Sequence, residues 1–202
     1  FTAPHFSEFA LVNKYNLTLS NNYVILSDTN PGESATVTGS APIAGAPVTA
    51  GYYAEGETLT VASSVTLTEL ADFKAANYKW VCLTLVYGDT TTTVAAGGTF
   101  TMPGEAVSML HTVIANQLRI FYYVNGSLWK TTSYYVADAG AEKEKGPEAL
   151  PAGYSSWYGY DAAKIGVSDL YVFAVGAEPG VKYTLEFYLN KEDTAPAKSY
   201  SY

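Results

Sequence analysis

The chain has 202 residues, a length for one or two domains, and 48% of them are apolar, enough for a buried core. Its net charge of −8, with only eleven Lys and Arg, lacks the basic footprint that nucleic acid requires and argues against docking on an anionic membrane. No apolar run approaches the roughly 18 residues that span a bilayer, so no membrane insertion is expected.

Eighteen Tyr, eight Phe and three Trp sit among many Thr and Val, the residue types that suit a pleated, half-buried surface. The expected fold is therefore all-β or mainly β. In chain order, the first segment runs from Phe1 to Val12 with Phe6, Phe9 and Leu11 as apolar positions. It opens directly into strand-like sequence with no visible signal peptide, so the chain reads as mature, processed or excerpted. A strand is predicted at Asn16 to Leu19, a turn at Asn30, Pro31 and Gly32, and an exposed Ala-, Gly- and Pro-rich connection from Ser40 to Pro47. Thr58 to Val61 and Ser64 to Leu67 alternate with a period of two and read as strands. Leu67 to Ala76 is the best helical candidate, worth one turn or two.

The single cysteine, Cys82, lies between Val81 and Leu83. One thiol cannot form an internal disulfide, and its apolar setting marks it as a small buried hydrophobe. Turns follow at Tyr87 to Asp89 and at Gly97 and Gly98. His111 falls in the strand run Leu110 to Val113, as an exposed or satisfied strand residue. Asn125 and Gly126 separate Leu118–Val124 from Leu128–Val136; both tolerate positive φ, so a hairpin with a type I′ turn is predicted there. Ala137 to Pro151, with Glu142, Lys143, Glu144, Lys145 and Glu148 among glycines and prolines, reads as a solvated loop. Alternation returns at Val167 to Ala174 and at Lys182 to Leu189.

An internal echo organises these pieces. Phe100-Thr101-Met102-Pro103 precedes Val107 to Leu110 and then a new strand at Leu118; Phe1-Thr2-Ala3-Pro4 precedes Phe6 to Val12 and then a new strand at Asn16. A weaker echo joins Val167–Ala174 to Lys182–Leu189. Closing strands that hand over to opening strands through short polar joints are how tandem β-domains are strung together.

Gly51-Tyr52-Tyr53-Ala54-Glu55-Gly56-Glu57-Thr58-Leu59-Thr60-Val61, then Tyr78 and Trp80, then Gly98 to Pro103, resembles the divergent internalin-B-type repeats of bacterial surface proteins, over residues about 51–115. Tyr122 to Gly126, Leu150 to Tyr154, Trp157 and Tyr158 resemble the Listeria–Bacteroides and mucin-binding-type repeats, over residues about 117–176. Trp80 follows Lys79 and Trp157 follows Ser156, where those families place Gly-Trp, and Lys14 to Ala50 has no counterpart. The resemblance implies tandem β-sandwich or β-grasp-like repeat domains, and an extracellular stalk or adhesin segment at the surface of a Gram-positive-like bacterium. It carries no active-site residues, since those families are not enzymes.

Chemistry-bearing patterns are scarce. His5 and His111 lie away from other ligands at metal spacing, and no phosphate cradle, nucleophile elbow or calcium loop appears, so no metal, cofactor or catalytic residue is assigned. Glu55 and Glu57 flank a glycine and read as turn residues rather than a glycosidase pair. Asn16-Leu17-Thr18 and Asn125-Gly126-Ser127 match the glycosylation acceptor pattern, the second at the predicted hairpin turn. The candidate ligand-contacting or packing aromatics are Tyr122, Tyr134, Trp157, Tyr158 and Tyr160; alternation sends half of each Tyr pair, Tyr122/Tyr123 and Tyr134/Tyr135, outward.

The expected organisation is a closing or donor strand at 1–13, a β-rich domain at 14–115, a β-grasp-like domain at 116–177, and an opening strand or C-terminal extension at 178–202. Phe1, Phe6, Phe9, Leu11, Tyr183, Leu185 and Phe187 are the candidate assembly residues, because unpartnered terminal strands template pairing with another chain. The expected role is non-catalytic and extracellular, a fibre or surface-layer unit that self-associates head to tail, with a glycan- or host-binding module as the alternative.

Overall fold

The computed structural model describes residues 12–30, 32–176 and 184–201. The protein is mainly β, and the chain divides into two compact units between Asn116 and Gln117. Among the described residues no helix is long and apolar enough to cross a membrane.

The first unit contains β1 (Lys14–Leu26), β2 (Ser34–Thr38), β3 (Gly51–Ala54), β4 (Thr58–Thr60), β5 (Tyr78–Tyr87), β6 (Thr90–Ala95), β7 (Thr99–Thr101) and β8 (Val107–Ala115). A six-stranded sheet runs in the order β2-β1-β8-β5-β6, with β3 also on β1. β1 is long enough to take two partners along one side, β3 at Lys14–Leu17 and β2 at Asn22–Leu26. Its other side pairs in parallel with β8. β4 and β7 form a two-stranded ribbon, and Leu59 and Met102 bring it into one core with Leu17, Leu83, Leu85 and Met109. Burial of each such side chain contributes about 1.5–3 kcal/mol. Tyr23, Ile43, Phe73 and Val113 form an adjoining core.

Bulges decide which side chains reach these cores. The β5–β8 register slips between Trp80 and Cys82, so Trp80 joins the same core as Leu83 and Leu85 although strict alternation would oppose them. β1 carries extra residues between Leu19 and Tyr23 against Met109 and His111, where the Ser20 hydroxyl accepts the Asn22 N–H at 3.0 Å. The predicted turns at 30–32, 87–89 and 97–98 fall between β1 and β2, between β5 and β6, and between β6 and β7.

Three local expectations are corrected in this unit. The connection at 40–47, expected to be exposed, tucks Ile43 and Ala44 inside at 1% and 4% exposure, because Ile43 fills the core beside Tyr23 and Phe73. Leu67–Ala76 is not helical beyond a 3₁₀ turn at Ala75–Asn77. Phe73 is drawn into the core, where Tyr78 stacks on it at 4.9 Å and Tyr23 meets it edge-on, and β-branched Thr66 and Thr68 favour helix weakly. Ser64–Leu67 forms no strand; Leu67 makes one bridge to Ala44.

The second unit contains β9 (Gln117–Val124), β10 (Ser127–Tyr135), a short helix α1 (Ala139–Lys145), β11 (Leu170–Ala174), β12 (Thr184–Phe187) and β13 (Lys198–Ser201). The sheet order is β10-β9-β11, with β10 antiparallel and β11 parallel to β9, and β12 pairs with β13. The β9–β10 hairpin closes on Asn125 at φ 48° and Gly126 at φ 79°, as a type I′ turn demands. The segment read as a loop from Ala137 to Pro151 contains α1 instead. Ala139 packs on the core, Lys145 pairs with Glu142 one turn back at 3.6 Å, and Gly146 at positive φ ends the helix.

Candidate functional site

In the second unit alternation sorts the aromatic residues onto two faces. Ile120, Tyr122, Tyr134, Ile165, Leu170 and Val172 form the covered core, with Trp157 and Tyr160 packed on it. Tyr122, 1% exposed, accepts the Glu148 N–H at 3.2 Å, and Tyr134 accepts the Gly166 N–H at 3.0 Å. The Trp157 indole meets Tyr122 edge-on and donates to the Glu148 carbonyl at 2.7 Å. A bulge at Trp129 brings that ring within 5.9 Å of Trp157. Tyr160 has its hydroxyl buried with no partner among the described residues. Burial raises the phenol pKa of both Tyr122 and Tyr160.

The outward face joins Tyr158 and Phe187, named as candidates, to Phe121, Tyr171, Phe173 and Tyr200, which sequence reasoning did not single out. Phe121 stacks on Tyr171 at 5.0 Å and Tyr123 on Phe173 at 5.2 Å, each a directly opposed cross-strand pair. Phe173 then meets Phe187 of β12, Phe187 meets Tyr200 of β13, and Tyr200 approaches Tyr158. The signal for these residues was the same Tyr122/Tyr123 alternation, read one residue along. Their ring faces are spent largely on one another, and the hairpin covers the Phe173 end, leaving Tyr171 50% exposed.

Of the candidate assembly residues, Phe1, Phe6, Phe9, Leu11 and Tyr183 lie outside the described residues. Leu185 and Phe187 lie in β12, whose partner strand is the chain's own β13.

Glu148 is bridged by Lys130 at 2.9 Å and Lys145 at 3.4 Å. The Lys130 hydrogen bond holds its carboxyl below the usual range, opposite to the raised acid that glycoside hydrolysis uses. Among the described residues no group of three or more His, Cys, Asp and Glu is placed to hold a metal ion. Cys82 is half-buried and its thiol is pushed up by burial. His111 is fully buried; its Nε2 lies 3.2 Å from the Ala44 carbonyl, so that nitrogen carries the proton, and Nδ1 has no partner among the described residues. A shallow cleft of about 450 Å³ runs past Ser63, Ser64, Tyr78 and Trp80.

The sheet edges differ sharply in how they end. β10 is blunted by its bulge and by Lys130, and β11 is occupied by a bridge from Tyr158 to Phe173. β6, Thr-Thr-Thr-Thr-Val-Ala, closes one side of the six-stranded sheet, and β2, Ser-Ala-Thr-Val-Thr, closes the other together with the shorter β3 further along β1; neither β2 nor β6 carries a charge, proline or bulge. No described strand pairs with the outer side of either. No protein-family model matches the chain, and no curated protein matches it.

Proposed function

We propose that this chain is a structural unit of an extracellular bacterial fibre, stalk or surface layer, and that it assembles by β-strand pairing between neighbouring units. The observation that carries the reading is the six-stranded sheet with an open, unblunted strand on each side. Such edges present rows of free N–H and C=O groups, and proteins that stay apart normally break them with Lys, Pro or bulges. The internalin-B-type resemblance over residues about 51–115 supports the same role. So does the return of β11 parallel to β9 beyond a hairpin and a helix, an order suited to a β-grasp-like repeat. In the sequence, Phe6, Phe9 and Leu11 have the apolar spacing that a donated strand needs. Purified protein should form ordered assemblies whose mass grows with concentration, read by sedimentation velocity and electron microscopy. A chain that stays monomeric at every concentration sinks the proposal.

A binding-module reading is favoured by one observation, the half-exposed Tyr171 ring seated on Phe121. Aromatic rings of this kind present an apolar body to a sugar face. A glycan array decides it: saturable binding that Tyr171→Ala abolishes makes the second unit an adhesin module.

A further inference from the structure

We infer that the junction between copies is one repeated contact, the outer side of β6 in one copy against the outer side of β2 in the next, antiparallel. The inference rests on the structural reading above and adds to it the surfaces and the polarity.

The strand directions follow from the pairings. β2 is antiparallel to β1, β1 is parallel to β8, β8 is antiparallel to β5, and β5 is antiparallel to β6. β6 therefore runs the same way as β1 and opposite to β2. A second copy set beside the first in the same orientation brings its β2 against β6 as an antiparallel pair, the slightly stronger ladder. The lengths match, five residues in β2 against six in β6, so nearly every free backbone group on one finds its counterpart.

Charge and side-chain chemistry agree. Neither strand holds an ionised residue, and the acidic neighbours, Glu33 before β2 and Asp89 before β6, come to opposite ends of an antiparallel pair. Facing rows of Thr, Val, Ser and Ala are suited to cross-strand contact, with Thr–Thr and Thr–Ser hydrogen bonds available. Thr90 to Thr93 and Ser34 to Thr36 are exposed. One head-to-tail contact uses both β6 and β2 of every copy, whereas β6 on β6, or β2 on β2, leaves the other strand bare and closes at a dimer.

The test is a mixing experiment with one edge blocked per variant. Thr92→Lys blocks β6, and Ala35→Lys blocks β2; both positions are exposed, and both lie on the side of the sheet that faces the core. Each variant's far-UV spectrum and melting temperature must match the parent, with Thr93→Lys and Thr36→Lys on the opposite side as replacements for a variant that fails to fold. The expected result is that each variant alone sediments as monomer and that the equimolar mixture gives a species of twice that mass and nothing larger. If Ala35→Lys protein assembles as the parent does, or closes at dimers by itself, the β6–β2 junction is wrong while the assembly role stands. Parent protein that never assembles overturns both.

Discussion

Asn125 does two jobs that no other residue type combines. It adopts φ 48° at the hairpin turn, a left-handed conformation that Asn tolerates better than other residues with a β-carbon. Its side chain donates to the Tyr154 hydroxyl at 2.8 Å and accepts the Gly176 N–H at 3.0 Å, tying the hairpin tip to the chain that leaves β11. Asn125→Ala should destabilise the second unit by about 1–2 kcal/mol, and Asn125→Gly by less, since glycine keeps the backbone and loses only the side-chain bonds. Denaturant unfolding of the three proteins measures the difference. The same two hydrogen bonds occupy the amide of the second glycosylation triplet.

His111 supplies a pH signature. Burial lowers its pKa from the ordinary histidine value of 6.5, outweighing the backbone carbonyls of Ala44 and Gly45 that favour the charged ring. The unfolded chain therefore takes up a proton near pH 6.5 that the folded chain refuses until lower pH. Stability is complete above pH 6.5 and is lost as pH falls from there toward the folded-state value. Thermal unfolding between pH 8 and 5 should show this slope, and His111→Leu should flatten it; an unchanged slope in the variant refutes the assignment.

At the scale of elements, the β12–β13 hairpin depends on its docking. Two four-residue strands alone are marginal in water, and Phe187 between Phe173 and Tyr200 is the principal ring contact that holds them to the sheet. Phe187→Ala should raise amide exchange across 184–201 by at least tenfold, while amides of β9 and β11 remain protected. Loss of protection in β9 as well makes the hairpin part of the sheet's own core. β8 is the opposite case, buried on both faces: Met109, His111 and Val113 point one way, and Leu110 and Thr112 the other. Thr112 and Thr84 share a hydrogen bond of 2.6 Å there. Thr112→Val strands the Thr84 hydroxyl and should cost about 1–3 kcal/mol despite the matched shape.

For the whole molecule, the proposed junction carries a dimension. The path β2-β1-β8-β5-β6 is five strands across, so each added copy lengthens a continuous sheet by roughly 24 Å at the usual strand spacing of about 4.8 Å. The ordinary sheet twist of about 20–25° per strand turns it by roughly 100–125°. Fibre diffraction or image reconstruction of filaments should return that rise and a right-handed strand twist, and a markedly different rise excludes edge-to-edge continuation of this sheet.

The β class, the Asn125–Gly126 hairpin and the outward turn of one residue in each Tyr pair were determined by the sequence alone. Each depends only on near neighbours: residue type, turn chemistry and a period of two. The tertiary structure decided the rest. Alternation defines two faces without saying which will be covered. Tyr122 is fully buried and Tyr123 only half-buried because Trp157, Tyr160 and the start of α1 pack on the Tyr122 side of the sheet. Bulges at Val81 and Trp129 reverse the alternation beyond them, which sets Trp80 with Leu83 and Trp129 beside Trp157. Which strands end a sheet follows from pairings far apart in the chain, such as β1 with β8. The open edges at β2 and β6 are thus a property of long-range closure, and Thr-rich runs carry no local mark of it.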